Sequence, residues 1–219
     1  MSVMPFLKML VPRSNINETI KSQSTDAGDM LVAAGMAPYE EVTRRGNGFH
    51  CTATVATAAA VAIPTTDCGI SIWNAAEDGG KSIVIDAVYA INAAGHGTAL
   101  GQAGLMCIVG QTDVAKIGSA WLVARKNNGN GPAAGTVAVI TAGATALDAV
   151  TGVAIGWIPV GTTGKISVTN LPGLILYADI GGRIIVPPAR LFAVQVIGTY
   201  IEQTFYCGVE WHEDELEIG

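Results

Sequence analysis

The stretch that most limits what this chain can become runs from Gly69 to Asn92, GISIWNAAEDGGKSIVIDAVYAIN. Ile70, Ile72 and Asn74 alternate with Ser71 and Trp73, the two-residue period of a pleated strand. Glu77-Asp78-Gly79-Gly80 breaks the pattern, because two glycines supply the positive φ that residues with a Cβ resist. Beyond the turn, Ile83, Ile85, Ala87, Tyr89 and Ile91 share one side, with Ser82, Val84, Asp86, Val88 and Ala90 on the other. Two alternating segments around a glycine turn predict a β-hairpin.

The same grammar continues to the C-terminus. Strands are predicted over His50–Thr57, Ala99–Val109, Ser119–Arg125, Thr136–Thr141, Val150–Trp157, Lys165–Thr169, Leu174–Tyr177, Arg183–Val186, Leu191–Thr199 and Gln203–Trp211. Ala58–Pro64 reads as a further extended apolar piece. In the Ser119–Arg125 segment Trp121, Val123 and Arg125 fall on one side, and Asn127–Pro132 is a strong turn signal. In the last strand Phe205, Cys207, Val209 and Trp211 oppose Thr204, Tyr206, Gly208 and Glu210. Many short strands with few helix candidates predict a mainly β protein, an antiparallel sandwich or barrel. The four tryptophans, Trp73, Trp121, Trp157 and Trp211, each fall on or at the end of a predicted strand and read as core anchors.

Residues 1–46 differ. They hold Lys8, Arg13, Lys21, Arg44 and Arg45 among polar residues, and Asn15–Ala27 has no sustained period. Asp29–Ala37 suits a short helix ending before Pro38, since the residue before proline avoids the α region. This segment is read as an N-terminal arm, extended or partly helical, that orders on a partner; a disordered terminus is the alternative. The division expected is arm 1–46, β-sandwich 47–213 and acidic tail 214–219.

Charge narrows the function. Charged residues make up 14% of the chain, against about a quarter in ordinary soluble domains. Glu210, Glu213, Asp214, Glu215 and Glu217 account for most of the net charge of −6. Between Asn47 and Val209 there are only eight acids and seven bases. Free soluble surfaces run about 25–35% charged, so a surface this poor in charge points to burial against copies of itself or a larger assembly. The other account is a Thr/Gly/Asn surface that is polar without charge. With a pI of about 4.9 and no basic patch, the chain lacks the footprint of a nucleic-acid binder. No apolar run reaches the roughly 18 residues of a membrane helix, and MSVMPFLKML lacks the build of a signal peptide. A soluble, intracellularly made protein with no membrane partner is expected.

Motifs that carry chemistry fail on inspection. Gly79-Gly80-Lys81-Ser82 imitates the end of a phosphate-binding loop, but Ala75 stands where a glycine is required and a strand follows instead of a helix. Gly161–Lys165 fails likewise, with Pro159 at the glycine position, and Gly95-His96-Gly97 is followed by Leu100 where a dinucleotide fingerprint wants glycine. His50, His96 and His212 are too scattered for a metal triad. Asp67-Cys68 with His50 or His96 has no local support as a thiol–imidazole pair, and Cys51, Cys68, Cys107 and Cys207 show no metal or redox spacing. Asn17-Glu18-Thr19 matches a glycosylation sequon without a secretion signal. The expectation is no catalytic residue, no cofactor, no metal and free thiols.

The run SIWNAAEDGGKSIVIDAVYAI, the late Ile185-Val186-Pro187-Pro188, the strand Leu191–Gly198 and the ending Glu210-Trp211-His212-Glu213 together resemble small virion proteins of tailed bacteriophages. The resemblance spans roughly residues 48–213 and implies a jelly-roll sandwich, often trimeric. It further implies a head decoration or capsid-stabilising cement protein in the virion, assembled in the host cytoplasm. Such a protein acts by binding: as a homotrimer, with the arm docked on the major capsid protein or other virion proteins. A tail or spike component that touches the host through loops such as Asn127–Gly131 is the nearest alternative. A sugar-binding or sugar-cleaving jelly roll is the third, and paired carboxylates in a groove would mark it.

Overall fold

The computed structural model describes residues 39–65, 67–77, 80–94, 101–110, 121–131, 135–143, 157–160, 164–166 and 175–215. The chain divides into two units, Met1–Pro38 and Tyr39–Gly219. The predicted Asp29–Ala37 helix, the sequon and His96 lie outside the described residues. Tyr39–Gly46, assigned to the arm by sequence, belongs to the second unit, where Glu40–Arg45 forms the short helix α1. Gly46 ends it in the left-handed conformation at φ 75, with its N–H bonded to the Thr43 carbonyl.

Thirteen strands follow among the described residues: β1 Gly48–Thr52, β2 Thr57–Ala58, β3 Cys68–Asn74, β4 Ser82–Ala94, β5 Gly101–Val109, β6 Trp121–Leu122, β7 Arg125–Lys126, β8 Ala138–Gly143, β9 Ile158–Pro159, β10 Gly164–Ile166, β11 Ile175–Val186, β12 Leu191–Gly198 and β13 Thr204–Asp214. They form two antiparallel sheets packed as a β-sandwich. The first runs β11-β4-β13-β1-β7 with β2 on β13, the second β10-β5-β12-β3-β8-β6 with β9 on β5. Inward side chains of both interleave. Ile85, Val88, Leu176, Phe205, Val209 and Trp211 come from the first sheet, and Ile70, Ile72, Leu105, Ile140, Phe192 and Val194 from the second. Phe49 stacks on Trp211 with ring centroids 5.8 Å apart. Burying aromatic side chains of this size dominates core energetics.

The predicted hairpin is corrected. β3 and β4 lie in different sheets, so the turn through Gly80 carries the chain across the sandwich. Asn74, buried at the end of β3, fixes the crossing: its side-chain amide donates to the carbonyls of Lys81 and Val186, each at 2.9 Å. The segment Ser119–Arg125, expected as one strand, also changes sheets, with β6 on β8 and β7 on β1.

The alternation predicted for β4 is corrected as well. Ile83 and Ile85 face the core, but so do Val88 and Ala90, which have the opposite parity. Opposite the Glu210–Trp211 step of β13, β4 carries one extra residue, Asp86. Such a bulge reverses which side chains face inward beyond it. On the other side β11 makes a larger irregularity between Asp179 and Ile184, with Gly181 and Gly182 at φ 57 and 75.

β12 is buried on both faces. Phe192, Val194 and Val196 enter the central core, while Leu191 and Ala193 join Cys68, Ile108 and Trp157 in a second cluster. Trp73 and Met106 pack against that cluster, and the Trp157 indole donates to the Pro64 carbonyl at 3.1 Å. The apolar run Leu191–Val194 follows from this double burial, with Gln195 the buried polar residue after it.

Candidate functional site

The first sheet presents a face to the outside, and its register defines that face row by row. Ile175 of β11, Ile91 of β4 and Tyr206 of β13 form one row, 59%, 37% and 37% exposed. Tyr177, Tyr89, Gly208 and Thr52 form the next. The third crosses the whole sheet: Asp179, Ala87, Glu210, His50 and Arg125. Beyond the bulge come Ile185, Val84 and His212.

Each row has a local cause. Tyr89 lies flat across Gly208, where a Cβ would come within 2.3 Å of its ring, and its hydroxyl shares a 2.7 Å hydrogen bond with Thr52 Oγ1. The bulge turns Asp86 outward, where both its carboxylate oxygens meet His212 Nδ1, at 2.8 and 3.0 Å. The Tyr39 ring packs on His212 at 6.0 Å between centroids. Arg183 folds back to donate to the carbonyls of Asp179 and Ile180, both at 2.9 Å, and so pins the β11 irregularity. His50 Nδ1 meets Asn127 Oδ1 at 2.6 Å.

These side chains enclose a cleft of about 230 Å³, lined by Tyr39, Thr43, Asp86, Asn127, Tyr177, Asp179 and Glu210 with Ala87 at its floor. Desolvation raises the phenol of Tyr39 above its ordinary range, and Asp86 and Asp179 add to it. Tyr177 is raised in the same way, by desolvation and then by Glu210, Asp179 and Asp86. Both phenols therefore stay protonated and able to donate at neutral pH. The cleft thus offers aromatic faces, three carboxylates and an amide. A larger, shallow trough of about 360 Å³ lies along β5 and β12; its described lining, residues such as Leu105, Met106, Pro159 and Ile197, includes no ionisable side chain.

The sequence candidates go elsewhere. Ser82 is buried at the start of β4, a strand, and Lys165 lies in β10. Cys51, Cys68, Cys107 and Cys207 are free and buried. Burial pushes the thiols of Cys51 up to about 11 and of Cys107 and Cys207 up to about 12. Cys68 is raised well above its usual value by burial, although a hydrogen bond with Ser71 opposes the shift. Thiols held protonated are poor nucleophiles. His50 sits on the opposite sheet from Cys68, bonded to Asn127. Glu213, the last residue assigned to the sandwich from sequence, is buried, with one oxygen accepting from the Thr136 hydroxyl and the Val137 N–H. Among the described residues no group of three or more His, Cys, Asp or Glu is placed to hold a metal ion. No described helix is long and apolar enough to cross a membrane.

Sequence reading missed the cleft. Its side chains come from five separated segments, and only the alternation of Tyr177 and Asp179 within a strand was available to signal any of it. No protein-family model matches the chain, and no curated protein or solved structure does either.

Proposed function

We propose that this is a structural protein that works by assembly: a head decoration or cement protein of a tailed bacteriophage, built as a jelly-roll homotrimer. The observation that carries the reading is the outward row Ile175–Ile91–Tyr206, where the first sheet leaves aliphatic and aromatic side chains uncovered in register. Contiguous exposed apolar surface marks an interaction site more often than a free surface. The sparse charge of the body supports the same conclusion, and the sequence resemblance supplies the phage context. The virion, the arm's docking on capsid subunits and the trimer are parts of this proposal. Light scattering of the full chain at micromolar concentration tests it. A stable oligomer, most simply a trimer, is expected, and a monomer of 22.5 kDa contradicts the reading.

A second reading has its own observation. The cleft sets Tyr39 and Tyr177 beside Asp86, Asp179, Glu210 and Asn127, the combination of ring faces and hydrogen-bonding groups that a sugar-binding groove uses. Titration with a panel of oligosaccharides by saturation-transfer NMR separates the two readings. Transfer from this protein that disappears in Tyr177→Ala favours sugar binding; no transfer leaves assembly.

A further inference from the structure

We infer that Asn130 is a site of spontaneous covalent modification, converting to aspartate and isoaspartate in the folded protein while its neighbour Asn128 is held back. The chemistry needs no second copy of the chain and no cofactor. The turn after β7 carries two Asn-Gly pairs, Asn128-Gly129 and Asn130-Gly131. In such a pair the glycine nitrogen can attack the asparagine side-chain carbonyl carbon, because no Cβ on the glycine screens it. At Asn130 the new bond joins the Gly131 nitrogen to Cγ and closes a succinimide ring. The Cγ–Nδ2 bond breaks, and the nitrogen leaves as ammonia, taking up through solvent the proton that the Gly131 amide gives up. Water then adds to either carbonyl of the ring and opens it to aspartate or isoaspartate.

The two pairs differ in what holds them. Asn128 is half-buried, and its Oδ1 accepts the N–H of Asn130 at 3.1 Å, which tethers the side chain. The Gly129 nitrogen, the nucleophile for Asn128, donates its proton to the Lys126 carbonyl at 3.2 Å. Reaction there has to release both groups. Asn130 is exposed, and among the described residues no hydrogen bond engages its side-chain amide or the Gly131 N–H. Gly131 stands at φ 82, with nothing within 4 Å of the position a Cβ would take, so the ring has room to close. The hydrogen bonds that restrain only Asn128 slow it about tenfold relative to Asn130. The base of the turn stays fixed through the change: the Asn127 N–H donates to the Gly48 carbonyl at 3.0 Å, and Asn127 Oδ1 meets His50 at 2.6 Å.

The test incubates the full chain at pH 8 and follows each asparagine by tandem mass spectrometry, with electron-transfer fragmentation to separate aspartate from isoaspartate. Folded protein should convert Asn130 about tenfold faster than Asn128, and in guanidinium chloride the two rates should come together. Asn130→Ala should remove the fast conversion and Asn128→Ala should leave it, with circular dichroism melts verifying that each variant is folded. Equal rates in the folded protein overturn the assignment, as does an Asn130 that reacts only once the chain is unfolded. A rate ratio that persists in guanidinium chloride overturns it too, since the difference would then lie in the local sequence and not in the turn.

Discussion

The two sheets treat their outer faces differently. On the second sheet Leu191, Ala193, Cys68 and Ile108 point away from the central core, and the chain covers them itself with Trp157, held by its bond to Pro64. On the first sheet Ile175, Ile91, Tyr206 and Tyr177 occupy the equivalent outward positions and remain exposed. Both faces carry apolar side chains, and among the described residues the cluster around Trp157 is covered from within while the Ile175–Ile91–Tyr206 row is not. The Trp157 cluster belongs to folding, since Leu191, Ala193, Cys68 and Ile108 are buried within a single chain. In the proposed assembly the open face is the one that meets a second copy, with the carboxylates of Asp86, Asp179 and Glu210 beside it.

Substitutions on the two faces should therefore separate stability from assembly. Trp157→Ala is the largest expected effect on folding, a loss of about 3–5 kcal/mol read from urea denaturation. It should also open Cys68 to thiol reagents while leaving the oligomer's size unchanged; a loss under about 1 kcal/mol would mean that the second sheet is not closed by Trp157. Gly208→Ala comes next. The new Cβ drives the Tyr89 ring off the outer face, with an expected cost of about 1–3 kcal/mol and loss of the Tyr89–Thr52 hydrogen bond. The buried thiols give a pH dependence. Unfolded cysteines ionise near about 8.5, but the folded ones hold their protons to higher pH, so stability should fall as pH rises above that value. Urea midpoints at pH 8 and pH 10 would show it, and replacing the four cysteines with alanine should flatten the dependence. The smallest effect on folding is expected at Ile175→Ser, within about 0.5 kcal/mol, and yet it should weaken self-association.

The closed face was more legible in the sequence than the open one. The apolar residues Leu191–Val194 at the start of β12 mark a strand with both sides buried, and the alternation of Phe205, Cys207, Val209 and Trp211 gives the inward side of β13. Turn chemistry at Gly80 revealed a change of direction but not the sheet that the next strand joins, because that choice rests on long-range bonds such as Asn74 to Val186. The bulge at Asp86 was hidden for a related reason. An extra residue in one strand is defined only against its neighbours, and apolar residues of both parities in β4 fit either side. The cleft was least legible. Asp86, Asp179 and Glu210 are far apart in sequence and become one row and its bulge only through register. His212, whose sequence neighbours are Trp211 and Glu213, meets Asp86 across the β4–β13 pair instead.

Hydroxyl-radical footprinting of the full chain, dilute and concentrated, tests the contrast between the faces most directly. Tyr177, Tyr206 and Ile175 should be modified readily in dilute protein and become protected as copies associate. Trp157 and Leu191 should stay protected at both concentrations. Protection of the first group that does not change with concentration, in a chain that light scattering finds associated, would contradict the account: the open face would then not be where the copies meet.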